Sequence, residues 1–160
     1  MEKTKKKLKG LSDKGFSLVE LIVVIAIMAV LVGILAPTLI KNIEKSKESK
    51  DIANLESIRQ AIVSTLSDES ASSVIPTGGY SGTLANLRTS TTYVKFADVF
   101  NTLMTGDVKM TSSAAGTNAV QVIISSTGKV SVFVATNSTS TPVSCTKTKD
   151  GTGFAQLIVE

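Results

Sequence analysis

Apolar and polar positions divide the chain into three stretches. A lysine-rich start occupies residues 1–15, an almost unbroken apolar run occupies 16–40, and a mixed remainder fills 41–160. The apolar run begins Phe16-Ser17-Leu18-Val19-Glu20-Leu21 and ends Pro37-Thr38-Leu39-Ile40, with Glu20 as its single charge. At about 1.5 Å per residue, a helix of that length crosses a hydrocarbon core of about 30 Å. Six lysines precede the run and Lys41 follows it, which predicts a cytoplasmic N-terminus with residues 41–160 outside. A cleaved secretory signal has a shorter apolar region and a small-residue cleavage site, and Pro37-Thr-Leu-Ile-Lys41 offers no such site. Gly33 and Pro37 lie inside the run. Proline removes one helical hydrogen bond and crowds the carbonyl four residues earlier, here that of Gly33, so a kink is expected there.

The helix is expected to continue past Lys41, to about residue 71. Residues 41–51 (KNIEKSKESKD) favour helix and read as a solvated collar above the membrane, with Glu44–Lys47 and Lys47–Asp51 at helical neighbour spacings. Ile52, Leu55, Ile58, Ile62 and Leu66 then recur at three and four, an amphipathic stripe that must cover something. Residues 74–82, with a proline and three glycines, read as a loop. Phe96, Val99, Phe100, Leu103 and Met104 predict a short helix over 95–104. Residues 120–125 and 129–135 are β-branched runs joined by Ser-Thr-Gly, a hairpin signal, and 143–148 and 154–159 flank Lys149-Asp-Gly-Thr-Gly153 as a second. The expected fold is α+β: a long N-terminal helix, half membrane and half amphipathic, packed on a C-terminal four-stranded antiparallel sheet.

Charge and composition narrow the chemistry. The net charge of +4 resides wholly in residues 1–15, and residues 16–160 are balanced, which removes support for a nucleic-acid surface. The absence of histidine excludes Ser-His-Asp and Cys-His sites, and one cysteine excludes an intrachain disulfide. The acidic residues after 66 are scattered, and no phosphate-binding loop is present. No enzyme, metal site or cofactor is therefore expected. Residues 111–148 hold 16 Ser or Thr in 38 positions, either a polar strand surface or one open to glycosylation.

At Lys14-Gly15-Phe16-Ser17-Leu18-Val19-Glu20-Leu21 the chain resembles a type IV prepilin with a class III leader: basic residues, a junction glycine, phenylalanine, and glutamate at the fifth place of a long apolar run. The motif covers about residues 14–40. The resemblance implies a pilin-like fold and four segments: a cleaved basic leader (1–15), a transmembrane and assembly helix (16–40), an amphipathic helix entering the head (41–72), and a globular head (73–160). It implies prepilin peptidase cleavage between Gly15 and Phe16 and N-methylation of Phe16. It further implies subunit assembly through Glu20 of one subunit and the Phe16 amine of its neighbour, and helix melting between Gly33 and Pro37 in the filament. The implied partners are identical or related pilin subunits, the peptidase, the membrane before assembly and, indirectly, an assembly platform and motor ATPase. Many pilins of Gram-negative bacteria close a C-terminal loop with a disulfide. With Cys145 alone this chain cannot, and it is more similar to pilins of Gram-positive bacteria.

The function so implied is a structural subunit of a surface filament for adhesion, motility or aggregation. A pseudopilin of a type II secretion or competence system shares the whole N-terminal motif and stays open. Secretion pseudopilins often bind calcium in a C-terminal loop, but Asp150 stands nearly alone, with Asp107 distant in sequence. A plain membrane-anchored binding domain is the remaining alternative, and it leaves Glu20 without a role.

Overall fold

The computed structural model describes residues 15–75, 77–135 and 156–160. The chain forms two compact units that divide between Leu39 and Ile40. Helix α1, Leu18–Leu66, runs through that division with Gly33 and Pro37 both inside it.

The first unit is the apolar half of α1. Valine and isoleucine are indifferent helix formers in water. In lipid, however, the backbone must satisfy its own hydrogen bonds, and a helix does so within one segment. From Leu18 to Ile40 the large apolar side chains are 46–73% exposed. Among the described residues, α1 is the one helix long and apolar enough to cross a membrane.

The second unit holds the rest of α1 and the head. The order after α1 is α2 (Glu69–Ser72), β1 (Tyr80–Thr83), α3 (Leu84–Arg88), α4 (Val94–Leu103), β2 (Ala119–Ile124), β3 (Val130–Ala135) and β4 (Ile158–Val159). The four strands form one antiparallel sheet in the order β1-β2-β3-β4. The amphipathic stripe packs on it as expected. Leu55, Ile58 and Ile62 are fully buried with Phe96, Phe100, Val122, Val132, Val134 and Leu157, while Ile52 and Leu66 lie at the partly buried ends.

The expected hairpin joins β2 and β3. Ser125 donates its N–H to Lys129 O at 2.8 Å, Gly128 donates to Ser125 O at 3.0 Å, and Gly128 has φ +82°. The short helix also falls where its spacing placed it. The predicted strand at 143–148 and the turn at 149–153 lie outside the described residues, and among the described residues of the predicted last strand Ile158–Val159 pair with the sheet.

Three elements differ from expectation. Helix α1 ends at Leu66, not near 71, because Asp68 starts a new helix. Its carboxylate accepts the N–H groups of Ser70 at 2.9 Å and Ala71 at 3.2 Å, the N-cap arrangement for α2. The glycine-rich segment read as loop contains the edge strand β1. Gly79 makes it possible, with φ +88° and a backbone so close to β2 that a Cβ would stand 2.1 Å from Ile124 O. Third, α3 has five residues, too few to show a period. It is capped by Thr83, whose hydroxyl accepts the Asn86 N–H at 3.1 Å. Arg88 at its end then ties α3 to the end of α4, donating to Asn101 Oδ1 at 2.9 Å, Asp107 Oδ1 at 3.0 Å and the carbonyls of Met104 and Gly106.

The collar at 41–51 is not solvated all round. Asp51 is fully buried, and Glu48 is buried beside it on the face that carries the stripe. The Asp51 carboxylate accepts the N–H groups of Thr111 at 2.8 Å and Ser112 at 2.9 Å and both hydroxyls, at 3.2 and 2.6 Å. Glu44 accepts the N–H of Ser113. Lys47 pairs with Glu44 at 3.8 Å, while Asp51 is engaged with the 111–112 backbone. A carboxylate with this many donors needs no cation beside it to be buried.

Replacing Asp51 by Ala orphans two backbone donors and two hydroxyls. It is expected to destabilise the head by about 3 kcal/mol, and Asp51→Asn, which keeps one acceptor, by less. Thermal unfolding of the detergent-solubilised chain, followed by circular dichroism, checks the order. Further along α1, Arg59 grips Glu56 through two hydrogen bonds, at 2.9 and 2.7 Å, and Gln60 adds a third at 3.0 Å. These bonds, Arg59 first, hold the Glu56 carboxyl at about 2, below its ordinary 4.5. The lowered value means the pair stabilises the fold above about pH 4.5 and loses that contribution as pH falls through about 2. Glu56→Gln is expected to cost about 0.5 kcal/mol at pH 7 and nothing near pH 2, read as the difference in melting temperature at each pH.

Candidate functional site

The candidate site is the start of α1. Gly15, Phe16 and Ser17 precede the helix in non-helical backbone, and all three are exposed, Phe16 by 92%. A Cβ added at Gly15 would meet nothing within 4 Å. Both residues of the Gly15–Phe16 peptide bond are thus exposed.

Ser17 is the residue just before the helix, and with Glu20 it forms a reciprocal cap. The Ser17 hydroxyl accepts the Val19 N–H at 3.3 Å, and Glu20 Oε2 accepts the Ser17 N–H at 2.8 Å. This is a capping box, Ser-x-x-Glu, in which each side chain satisfies an N–H that the first turn leaves without a helical partner. The helix dipole also favours a negative charge in this turn. Glu20 thus has a local role: its carboxylate holds the first turn together. The Ser-x-x-Glu spacing of Ser17 and Glu20 is a sequence-level signature of such a cap.

The structure brings Gly15, Phe16 and Glu20 together at one helix end and places Gly33 and Pro37 further along the same helix. The helix continues through both. A methyl group on Gly33 would meet nothing within 4 Å, so packing inside this chain does not account for the glycine. Among the described residues no group of three or more acidic, cysteine or histidine side chains is placed to hold a metal. Cys145 and Asp150 lie outside the described residues.

Removing the cap hydroxyl with Ser17→Ala is expected to loosen the first turn by about 1 kcal/mol. Amide hydrogen exchange at Val19 and Glu20 in detergent micelles is expected to rise about fivefold, with exchange at Leu55 and Ile58 unchanged.

Comparison with known families places a named motif on this helix end: the prokaryotic N-terminal methylation motif matches residues 11–36. No curated protein and no solved structure matches the chain. Residues 11–36 therefore carry the class III leader of type IV pilins, and the long apolar helix on a four-stranded antiparallel sheet is a pilin-like α+β arrangement. The motif supports a prepilin of the type IV pilin or pseudopilin kind, implies processing by a prepilin peptidase and polymerisation with pilin-like subunits, and points to a structural protein. The leader and the apolar helix fit a membrane-anchored precursor.

Proposed function

We propose that this chain is a structural subunit of a type IV pilus, made as a membrane-anchored prepilin and polymerised through its N-terminal helix. The observation that carries the reading is the methylation motif at residues 11–36, at the head of an apolar helix whose side chains are exposed. In this reading the peptidase cuts between Gly15 and Phe16 on the cytoplasmic face. The leader leaves with its lysines, and Phe16 gains a free α-amine that is then N-methylated and stays cationic. Glu20 of one subunit pairs with that amine on its neighbour as the subunit leaves the bilayer for the filament.

The energetics favour such a pairing. A carboxylate costs about 2.5–3.5 kcal/mol at the middle of a membrane span and less toward its end, where Glu20 stands in the first turn of α1; among packed apolar helices, pairing with a cation in register removes much of that cost. The exposed Gly15–Phe16 bond supports cleavage there. The open space around Gly33, with the hydrogen bond that Pro37 cannot make, supports a local loss of helix when subunits pack. The finished filament lies at the cell surface and serves adhesion, aggregation or motility.

The test is the N-terminal peptide mass of this protein in filaments sheared from cells. A methylated peptide beginning at Phe16 in that fraction is the expected result. A chain cut at Phe16 but confined to membranes moves the assignment to a pseudopilin, and an intact leader leaves an anchored domain. Glu20→Ala is expected to insert normally yet give a filament yield lowered at least tenfold. An unchanged yield counts against the pairing.

A further inference from the structure

We propose that the collar 41–50 is a binding surface for anionic phospholipid headgroups, with Lys41, Lys47 and Lys50 as its contacts. The proposal rests on the apolar helix lying in a bilayer and does not depend on polymerisation.

In sequence the collar is nearly neutral, four lysines against Glu44, Glu48 and Asp51 over residues 41–51. The fold separates these charges. Asp51 and Glu48 are buried, and the Glu44 side chain is only 15% exposed. Asp51 is held by Thr111 and Ser112, and Glu44 by the N–H of Ser113, so these two carboxylates are fixed toward the head. Lys41 and Lys50 are exposed, and the Lys47 side chain is 45% exposed. Lys47 stands 3.8 Å from Glu44. At about 100° per residue the three lysines point to different sides of the helix, so a headgroup layer encircling the collar meets exposed lysines while the head covers the carboxylates.

The position of these lysines selects their partner. Lys41 directly follows Ile40, the last residue of the apolar run, so it stands where the hydrocarbon ends. The headgroup layer on each side of a bilayer is about 5–7 Å deep. At about 1.5 Å per residue, Lys47 and Lys50 lie about 9 and 14 Å above Lys41, and their long stems can bend back toward the phosphates. The exposed residues between them suit a boundary layer: Asn42, Ser46 and Ser49 are small and polar, and Ile43 is apolar. Each lysine near an anionic membrane surface strengthens attraction by about fivefold. An acidic patch on a second copy offers similar charge, but it has to reach a collar that the membrane already adjoins.

The experiment uses the full chain in nanodiscs of phosphatidylcholine with a minority of phosphatidylglycerol. The protein is extracted in mild detergent, and the lipids retained are counted by mass spectrometry. The expected result is phosphatidylglycerol enriched about tenfold over its share of the bilayer, with the enrichment lost in about 0.5 M salt. The triple variant K41Q/K47Q/K50Q is expected to fall to within about twofold of the bulk ratio. Circular dichroism unchanged from wild type confirms that it folds. A companion variant neutralising Lys3, Lys5, Lys6, Lys7 and Lys9 is expected to keep most of the enrichment. Full enrichment in the triple variant, or its loss only in the leader variant, overturns the proposal. So does a wild-type chain that shows no lipid preference while the triple variant loses self-association in cross-linking, which assigns the collar to a second copy.

Discussion

The apolar surface of the first unit sets the terms for everything else. Large side chains from Leu18 to Ile40 are exposed to at least 46%. At about 25 cal/mol per Å², leaving such a surface in water is prohibitive for a protein whose total stability is about 10 kcal/mol. The segment therefore needs a non-aqueous surrounding at every stage. A bilayer supplies one, and the packed helices of sibling subunits supply another. Movement between the two exchanges one apolar contact for another, so the hydrophobic effect alone does not choose between them. The choice falls to the few polar groups in the segment. Glu20 is the only charged one, which gives a single carboxylate far more influence than it has on a soluble surface.

The second unit solves a different problem with the same helix. From Ile52 onward α1 has one apolar face, and the sheet covers it. Toward the membrane that face turns acidic at Asp51, Glu48 and Glu44, yet it remains covered. A further apolar turn there would blur the border between the face that belongs to the head and the run that belongs in lipid. Carboxylates mark that border, since they are costly in hydrocarbon and need donors wherever they are buried. The 111–113 segment provides the donors from its own backbone. The consequence is a fixed register between helix and head, with the carboxylates covered and Lys41 and Lys50 left exposed.

What was legible in the sequence followed from local signals. The apolar run needs only length, and the stripe at Leu55, Ile58 and Ile62 needs only a period. The β2–β3 hairpin announces itself through Gly128 and β-branched flanks. Other features depend on partners far away in the chain. Nothing near Asp51 in sequence shows that Thr111 and Ser112, about sixty residues on, will bury it. Edge strand β1 is four residues long, and its glycines serve a close approach to Ile124 that composition reads as loop. Helix α3 exists because Thr83 caps it and because Leu84 and Leu87 are buried, neither of which leaves a period. The capping box is the instructive exception. Ser17 and Glu20 are three residues apart, so their pairing is itself a local signal.

That local pairing bears on how a leader could control assembly. In the uncut chain the Phe16 nitrogen is a neutral amide, and Glu20 accepts from the Ser17 N–H at 2.8 Å. An amide donor satisfies a carboxylate but carries no net charge. Cleavage before Phe16 would create a cation one residue from that donor. In a medium of low dielectric, a cationic donor attracts a carboxylate more strongly than a neutral amide does. The carboxylate can keep its Ser17 bond through one oxygen and still present the other, because Oε2 alone makes the contact in the cap. On this argument the cap does not compete with a charged partner. It would hold the carboxylate at the helix end, in one orientation, until a partner of opposite charge existed, and association before cleavage would then lack that attraction without any contribution from the head.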